Sequence, residues 1–477
     1  MKILFVASEL FPYVKVGGLG DVMAALPRAL RALGADVRLF LPAYPALRAA
    51  VEITGVAAVF PNLMGQGPAR VLKAQVPDLP LYLLDQPAFF DRPGNPYGHP
   101  EDLAQRFAAL SWAAAHLGRA GDADGWRPQI LHGHDWPTGL MPAYVAYGDG
   151  PRPGTVMTIH NIAYPGRFPA GLLGDLGLPP ESFTLEGVEF LGDIGFLKAG
   201  LRLADRLSTV SPSYALEIQQ PDGHGLHGLL SHRRADLVGI LNGVDHGVWN
   251  PAKDPHLASH FDLKHPARRG PNRPDFQRRM GLQEDPDAPL FAAVSRMDPL
   301  KGLDLLLENV DHLLARGAQL AIIGSGDPQL EAAFQLAAQH HPGRVAVFLG
   351  YDEPLAHRAF AAADVLLVPS RQEPCGLTQL YAQAYGALPL VRRTGGLADT
   401  VVGVSVETLA NGTATGFQFE AANGWALGEA INQALALFAD PPAWRQVQRR
   451  AMLADFGWAA PAQAYLRLYE TIPSKGD

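Results

Sequence analysis

A lysine among glycines follows the first apolar stretch of the chain. Lys15, Gly17, Gly18 and Gly20 lie in "VKVGGLGD", between the predicted strand "KILFVAS" and a predicted Ala/Leu-rich helix. Glycines allow a backbone to approach a ligand closely, and the amides at a helix start attract anions. With the lysine charge they predict a site for a phosphate or a sugar phosphate, and the alternative is an ordinary glycine turn. The spacing fits neither a P-loop nor the dinucleotide fingerprint G-x-G-x-x-G, because Met23 stands at the last glycine position.

Two cations follow a predicted strand in the second half of the chain. Arg296 comes just after "PLFAAVS", and Lys301 follows five residues later, near the start of a predicted helix. An arginine and a lysine that converge on one point suit a diphosphate, because they neutralise the charge that a diphosphate leaving group develops. Each cation taken singly is equally consistent with an ordinary surface charge.

An acidic residue opens the loop in "VPSRQEPCGLTQLYAQA", which also follows a predicted strand. Glu373 could reach a hydroxylated ligand while free amides at Gly376, Leu377 and Thr378 hold phosphate oxygens. A purely structural turn is the alternative, but it leaves Glu373 unexplained. Cys375 as a nucleophile would need a nearby base, and the sequence shows none.

Two loops that contain histidines are the last stretches whose residue types could carry out chemistry. His132, His134, Asp135 and His160 lie in "QILHGHDWPTG" and "TVMTIHNIAYPG", and an H-x-H after a strand is a possible metal site. The alternative is a set of hydrogen-bonding groups for sugar hydroxyls, with Trp136 as a flat face for a pyranose ring. A third interpretation is that His132 is a histidine of the core. Side chains alternate along a strand, so His132 should point to the opposite face from His134.

One further acidic stretch resembles a metal-binding motif. The "DAD" at 122–124 has the D-x-D pattern of some sugar transferases. Its surroundings in "RAGDADGWRP" are a glycine-rich turn, so we interpret it as a solvated loop.

The elements that must position these residues alternate between strand and helix. Predicted strands include "KILFVAS", "DVRLFLP", "QILHGH" and "GTVMTIH", and the same alternation begins again near residue 289 with "PLFAAVSRM", "QLAIIGSG" and "DVLLVPS". This pattern predicts parallel, doubly wound α/β sheets in two domains, joined by a segment rich in Pro, Asn, His and Gly. Ligands bind such sheets at the carboxyl ends of the strands, where the residues above all lie.

Composition limits the class of protein. The chain has 477 residues, 48% of them hydrophobic, and a net charge of 39 − 47 = −8 without a polybasic run, which argues against nucleic acid or an anionic membrane as partner. A single cysteine excludes an internal disulfide and fits a reducing compartment. No apolar run reaches the ~18 residues of a membrane span, and "MKILFVASE" is too short for a signal peptide. We therefore expect a soluble, cytoplasmic globular protein.

Seven short stretches occur in the order in which one enzyme family has them. They are K-x-G-G-L-G-D, "GHDW", "TIHNIAYPG", "LNGVD", "SRMDPLKGLDLL", "EPCGLTQ" and "TGGLADTV". Each alone is a weak signal, but all seven in order are specific, and they span essentially the whole chain. On these motifs the chain resembles the family of bacterial glycogen synthases and plant starch synthases, which are glycosyltransferases.

The resemblance implies a GT-B fold of the α/β class, with two Rossmann-like doubly wound domains that face each other across a cleft. Residues 1–243 would form an N-terminal, acceptor-side domain, completed by a C-terminal helix over 456–477. Residues 244–455 would form a C-terminal domain that binds the nucleotide sugar.

The resemblance also implies a reaction. Glucose would pass from ADP-glucose to the non-reducing end of an α-1,4-glucan with retention of the anomeric configuration, which elongates glycogen. ADP-glucose and the glucan acceptor are the implied partners, and neither a cofactor nor an obligatory metal is implied. A UDP-glucose donor is the alternative that the motifs disfavour without settling.

The family's donor-binding residues fall on matching positions of this chain. Lys15, Arg296 and Lys301 would bind the ADP phosphates, assisted by amides around Gly17, Gly18, Leu377 and Thr378. Cys375 and Gly376 belong to the same implied donor site. Tyr351 in "FLGYDE" is a candidate for packing against adenine, and Tyr97 in "FFDRPGNPYG" would lie on the acceptor side with Trp136.

The transferred glucose has its own implied residues. Glu373 would bind this sugar and support the developing oxocarbenium charge, and Lys301 and Arg296 would act with it in catalysis. His160 and Asn242 would hold glucose hydroxyls near the reacting carbon, with the catalytic Asp135 close to them.

Both the reaction mechanism and the functional class of the protein have alternatives. The acceptor hydroxyl would attack from the face that the diphosphate leaves, and a double displacement through Glu373 is the competing path. A metal-dependent hydrolase would need bound metal, and a catalytically idle glucan-binding protein would bind glycogen without releasing ADP. An NAD-dependent oxidoreductase is excluded by the missing glycine fingerprint in both halves.

Overall fold

A computed structural model of the chain describes residues 1–473. The chain divides into two units, Met1–Gly243 with Trp458–Asp477, and Val244–Gly457. The bounds of the elements follow for each unit in chain order.

The strands of unit 1 are β1 (Lys2–Val6), β2 (Asp36–Pro42), β3 (Ile53–Phe60), β4 (Ala69–Val76), β5 (Leu79–Asp85), β6 (Ile130–His134), β7 (Gly154–Ile159), β8 (Arg167–Pro169), β9 (Glu189–Phe190), β10 (Asp193–Gly195), β11 (Arg206–Thr209) and β12 (Leu237–Gly239). Its helices before the crossing to unit 2 are α1 (Leu19–Ala32), α2 (Pro45–Ala50), α3 (Pro87–Phe90), α4 (Leu103–Ala120), α5 (Met141–Tyr147), α6 (Phe196–Leu203), α7 (Pro212–Glu217) and α8 (His227–His232).

The strands of unit 2 are β13 (Leu290–Val294), β14 (Gln319–Gly324), β15 (Val345–Leu349), β16 (Val365–Val368), β17 (Leu388–Arg392) and β18 (Phe417–Phe419). Its helices are α9 (Asn272–Met280), α10 (Leu303–Leu307), α11 (Val310–Ala315), α12 (Pro328–His340), α13 (Glu353–Ala362), α14 (Thr378–Ala384), α15 (Gly395–Thr400), α16 (Val406–Ala410), α17 (Gly424–Phe438) and α18 (Pro441–Leu453). The chain then returns to unit 1 as α19 (Ala459–Glu470).

The large sheet of unit 1 has the order β12-β11-β7-β6-β1-β2-β5-β4-β3. It is parallel except at β4, which is antiparallel to both of its neighbours. Ile3, Leu4, Phe5 and Val6 of β1 are all 0% exposed, as expected for a strand covered on both faces. Chain order reverses between β1 and β6, so their carboxyl ends flank the point where doubly wound folds bind ligands. The predicted doubly wound sheet is confirmed here.

The sheet of unit 2 has the order β15-β14-β13-β16-β17-β18, all parallel. Renumbered within the unit this is 3-2-1-4-5-6, the order of dinucleotide-binding Rossmann folds. The reversal lies between β13 and β16, so the loops after these two strands meet at one edge of the sheet.

Three local predictions were wrong in detail. The C-terminal helix spans Ala459–Glu470 and not 456–477, and residues 474–477 of that prediction lie outside the described residues. The helix predicted to start near Lys301 covers "GLDLLLENVDHLLARG" as one element, but this stretch forms two helices, α10 and α11. The Asn309 side chain donates to the Leu305 carbonyl oxygen at 2.9 Å and interrupts the helix. Asp122 of "DAD" is 7% exposed and accepts a hydrogen bond from Tyr82 at 2.7 Å, so it is no solvated residue.

Between residues 1 and 473, no helix is long and apolar enough to cross a membrane.

Candidate active site

A largely buried ion pair joins the ends of β13 and β16 in unit 2. The Lys301 ammonium nitrogen lies 2.9 Å from Oε1 and 2.7 Å from Oε2 of Glu373. Ser370 donates a further hydrogen bond to Oε2 at 2.8 Å. Glu373 is 8% exposed, so these donors rather than bulk water satisfy its charge. An ammonium group has three N–H donors, so Lys301 keeps one beyond those that face Glu373.

Lys301 reaches the end of β16 because of the glycine that follows it. Gly302 has a φ of +66°, and a Cβ at this position would lie 2.2 Å from the carbonyl oxygen of Pro369. Only glycine permits both the left-handed backbone and this close approach. Asp298 caps the preceding turn by accepting an amide hydrogen bond at 3.0 Å. The sequence "DPLKG" is therefore the local reason for the position of the lysine.

The "TGGLADTV" motif supports the loop that carries Glu373. The Gly396 amide donates to the carbonyl oxygens of Glu373 and Pro374, both at 3.1 Å. A Cβ on Gly395, whose φ is +44°, would lie 2.1 Å from the Glu373 carbonyl oxygen. No role was predicted for these two glycines, although two adjacent glycines after a strand are a signal of close backbone contact.

The loop after Glu373 leads into α14. Cys375 is 4% exposed, and the Gln379 side chain donates to the carbonyl oxygens of Cys375 and Gly376, both at 3.0 Å. The helix begins at Thr378 with Leu377 as its N-cap, and the apolar side chain of Leu377 makes no capping hydrogen bond. The start of this helix follows β16, at the edge of the sheet where Glu373 lies. Phosphate binding by its first amides stays a prediction.

Two further predicted donor residues lie at the same edge of this sheet. The Arg296 side chain is 54% exposed and pairs with Asp298, with 3.5 Å between Nη2 and Oδ2. Tyr351 follows β15, is 65% exposed, and donates its hydroxyl to Glu353 at 2.8 Å. The exposed ring of Tyr351 suits contact with a planar base.

A buried carboxylate that the sequence analysis missed follows β1 in unit 1. Glu9 is 3% exposed, and its Oε2 accepts the backbone N–H groups of Val16 at 2.8 Å and Gly17 at 3.0 Å. Its Oε1 accepts the hydroxyl of Tyr97 at 2.7 Å, and that hydroxyl lies 2.8 Å from Ser8 Oγ. The predicted use of the Gly17 amide for phosphate therefore has a competitor within the chain. A glutamate directly after an apolar strand was the available signal.

Tyr97, predicted on the acceptor side, is held by this carboxylate. Burial and the neighbouring charge of Glu9 raise the pKa of Tyr97 well above its ordinary value. Its hydroxyl therefore stays protonated and donates to Glu9, while Ser8 donates to it. Arg106 fixes the same loop from α4 by donating to the carbonyl oxygens of Pro96 at 3.2 Å and His99 at 3.0 Å.

Lys15 lies in the loop whose amides face Glu9. Its ammonium nitrogen is 2.9 Å from Asp21 Oδ1 and 5.0 Å from the centroid of the Phe11 ring. The side chain is 28% exposed. Gly18 is the N-cap of α1 with a φ of −68°, so its backbone is helical rather than left-handed.

Asp135 and His160 are brought together at the ends of β6 and β7. Oδ1 of Asp135 accepts the backbone N–H groups of His160 at 2.7 Å and Asn161 at 3.2 Å. Asp135 has a φ of +57°, which costs on the order of 1–3 kcal/mol for a non-glycine residue and is typical of functional sites. Burial raises the pKa of Asp135 to about 7, although the two amide hydrogen bonds oppose this. Burial lowers the pKa of His160 to about 3, so its ring is neutral.

The two histidines of "HGH" have different surroundings. His132 is 0% exposed, with Nδ1 2.8 Å from the Tyr469 hydroxyl and Nε2 2.6 Å from Thr158 Oγ1, which confirms a core histidine. His134 Nδ1 lies 2.9 Å from His160 Nε2. Since His132 uses both ring nitrogens within the core, the H-x-H pair does not fit a metal site. The described part of the chain contains no group of three or more metal-ligating side chains.

Trp136 and Asn242 are the remaining predicted residues. The Trp136 ring packs edge-on against Phe107 at 5.0 Å, and a Cβ on Gly166 would lie 2.6 Å from it. It is thus a half-buried member of an aromatic cluster, and stacking on a sugar stays a prediction. Asn242 is 6% exposed, and its buried Oδ1 has no hydrogen-bond partner among residues 1–473. A buried amide oxygen without a partner suits a hydroxyl donor from a ligand.

Two family models match the chain. Residues 2–232 match the starch synthase catalytic domain, and residues 288–436 match glycosyl transferases group 1. The first range lies within unit 1 and the second within unit 2.

Relatives match over nearly their whole length. A glycogen synthase of Rhodopseudomonas palustris (strain BisA53) is 50% identical, covering 99% of this chain and 97% of the relative. A glycogen synthase of Paramagnetospirillum magneticum is 47% identical, covering 100% of this chain and 98% of the relative. Among solved structures, the catalytic domain of starch synthase IV from Arabidopsis thaliana, bound to ADP and acarbose, has a TM-score of 0.88 at 31% identity and 98% coverage of both chains.

Proposed function

The chain belongs to the bacterial glycogen synthase family, and we propose that it transfers glucose from ADP-glucose to the non-reducing end of an α-1,4-glucan. It is a glycosyltransferase with the GT-B fold. The observation that carries the proposal is the Lys301–Glu373 pair at the chain reversal of the unit 2 sheet. A carboxylate for a hydroxylated ligand and a cation for a phosphate are held side by side there.

The donor phosphates are bound by cations and helix amides in this proposal. Arg296 and Lys301 neutralise the diphosphate, together with Lys15 and the first amides of α14 at Leu377 and Thr378. The exposure of the Arg296 side chain and the lack of a capping hydrogen bond from the Leu377 side chain support this assignment. Adenine contacts the ring of Tyr351, and Cys375 and Gly376 shape the loop between phosphate and sugar.

The transferred glucose is held by neutral and anionic groups that accept hydrogen bonds from its hydroxyls. Glu373 accepts hydrogen bonds from sugar hydroxyls and stabilises positive charge at the reacting carbon. Asn242 offers a buried carbonyl oxygen that has no partner within residues 1–473, and His160 offers a neutral ring. Asp135 lies against the His160 backbone and completes this set.

The chemistry then needs no protein nucleophile. The bond between the anomeric carbon and the diphosphate breaks as the acceptor hydroxyl bonds to the same face of that carbon. The acceptor proton passes to the departing diphosphate oxygen, which keeps the charges balanced. Orientation and neutralisation of the leaving group supply most of the rate in this path.

Tyr97 and Trp136 are assigned to the acceptor side in this proposal. A cytoplasmic location of the protein is also part of the proposal.

Nucleotide release tests the proposal. Purified protein is mixed with glycogen and ADP-glucose or, separately, UDP-glucose, with and without EDTA. ADP released only when glycogen is present, with EDTA making no difference, is the expected result. Faster release of UDP from UDP-glucose than of ADP from ADP-glucose would overturn the donor assignment. No release of nucleotide from either donor would overturn the function. A loss of activity in EDTA would contradict the metal-independent path.

A further inference from the structure

Glu9 contacts two loops with two different oxygen atoms. Oε2 accepts the amides of Val16 and Gly17, which belong to the loop that carries Lys15. Oε1 accepts the hydroxyl of Tyr97, which belongs to a loop 88 residues further along the chain. The carboxylate is planar and rigid, so a displacement of one oxygen displaces the other.

The amides that face Glu9 are not easily given up to a ligand. Glu9 is 3% exposed, and removing its donors would leave a charged carboxylate unsatisfied in a buried position. A phosphate beside it would add repulsion between like charges. Glu9 therefore stays bound to this loop when a donor binds, and the amides of Val16 and Gly17 serve to hold the loop.

The backbone of Lys15 is fixed on both sides as a result. Before it, Val14 exchanges two backbone hydrogen bonds with Leu10, both of 2.9 Å. After it, Val16 is held by Glu9 at 2.8 Å. Any shift of Glu9 is thus transmitted to the Lys15 Cα by a single intervening peptide.

Tyr97 is fixed on its far side by α4. The buried Arg106 donates to the carbonyl oxygens of Pro96, Gly98 and His99, on either side of this tyrosine. The loop can therefore pass a displacement at its surface to Glu9 through the Tyr97 hydroxyl.

We infer that Glu9 is a positioning residue that links donor and acceptor binding, because it joins the loop of Lys15 to the loop of Tyr97. This inference rests on the proposed function, in which Lys15 contacts the donor phosphates and Tyr97 the acceptor side. The link is an energetic coupling between two binding events and is reciprocal. Binding of an α-1,4-glucan oligosaccharide changes the affinity for ADP, and ADP changes the affinity for the oligosaccharide by the same factor.

The test measures the ADP dissociation constant by calorimetry, with and without saturating maltoheptaose. The ADP dissociation constant of the wild-type protein should differ by about five-fold or more between the two conditions. The Glu9→Gln variant should still bind both ligands, but the ratio of its ADP dissociation constants without and with maltoheptaose should be close to one. Tyr97→Phe, which removes only the hydroxyl, should bring the ratio equally close to one, and the double variant should change it no further.

The outcomes separate this inference from the proposed function. Glu9→Gln with the wild-type ratio, or a wild-type ratio of one, would overturn the coupling while nucleotide release stands. Absence of glucosyl transfer in the wild-type protein would overturn the function instead. Should Glu9→Gln fail to fold, Tyr97→Phe decides alone. Asp205→Asn, which changes another hydrogen-bonded carboxylate of unit 1, is the control and should keep the wild-type ratio.

Discussion

Lys301 and Glu373 are 72 residues apart in the chain, and their charged groups lie 2.7 Å apart at the closest pair of atoms. They meet because β13 and β16 are neighbours in the sheet. The pairing limits each group: the carboxylate is held in one orientation by Lys301 and Ser370, and the lysine presents its remaining N–H donor in a fixed direction. A site that is ordered before the ligand arrives loses little entropy when it binds.

Removal of the lysine should disable the site more than it destabilises the fold. Lys301→Ala removes the cation from the phosphate and leaves Glu373 without its main partner. We expect kcat/KM for the donor to fall by about 10²–10³-fold, which is typical of a lost group that stabilises leaving-group charge. The measurement is the rate of ADP release with glycogen. Arg278→Ala, which breaks an exposed ion pair with Glu284, is the matched control and should leave the rate unchanged. A fall of less than ten-fold would contradict the role of Lys301.

The glycine at position 302 should be required for both stability and activity. Gly302→Ala places a methyl group 2.2 Å from the Pro369 carbonyl oxygen in a left-handed backbone. Gly317 is the matched control, because its φ is also positive, at +82°, but a Cβ there would meet nothing within 4 Å. Gly317→Ala should cost about 1–2 kcal/mol of unfolding free energy, and Gly302→Ala about 1–3 kcal/mol more.

Urea unfolding compares the two variants, and ADP release reports activity. Only Gly302→Ala should lose activity, since it moves the turn that ends at Lys301. Equal stability and equal activity of the two variants would show that the close approach at Pro369 has no importance.

The absence of a side chain at position 17 should serve ligand binding rather than folding, while the Gly17 amide stays bound to Glu9. The φ of Gly17 is not positive, and a Cβ at this position would meet nothing within 4 Å. Gly17→Ala should therefore leave the midpoint of thermal unfolding nearly unchanged. The KM for ADP-glucose should rise about ten-fold, equivalent to about 1.4 kcal/mol, if a ligand approaches this backbone closely. Gly228→Ala, at another open glycine of unit 1, is the control and should leave the KM for ADP-glucose unchanged. An unchanged KM in Gly17→Ala would argue against the contact.

Asp135 should make stability depend on pH. Its pKa in the folded protein is about 7, above the ordinary value of 3.8, because burial penalises the charge. Its contribution to stability is therefore full below about pH 4 and is lost as the pH rises through about 7. Asp135→Asn does not titrate, so the unfolding free energy of this variant minus that of the wild type should increase across this range.

The measurement is urea unfolding of both proteins at about pH 5 and about pH 8. Val59→Ala is the control, because Val59 is 63% exposed and carries no titratable group, so its difference should be independent of pH. The same independence in Asp135→Asn would contradict the raised pKa.

Much of the fold and part of the site were predictable from local sequence. Buried strands such as "KILFVAS" and "DVLLVPS" are apolar runs followed by turn residues, and their alternation with helices predicts parallel sheets. The β3–β4 hairpin was not predicted. Glu9 and Ser370 were not predicted, because a single polar residue after a strand is a common and therefore weak signal.

The sequence by itself determined most of the strands and helices, and membership of the enzyme family. These follow from local rules, because backbone conformation and strand burial depend on near neighbours in the chain. Only the tertiary structure decided that Lys301 pairs with Glu373, that Glu9 holds Tyr97, and that His132 bonds to Tyr469. Such contacts join residues 72, 88 and 337 positions apart, and they depend on which strands and helices lie side by side. That order is set by packing of the whole core, to which each residue contributes only a small part.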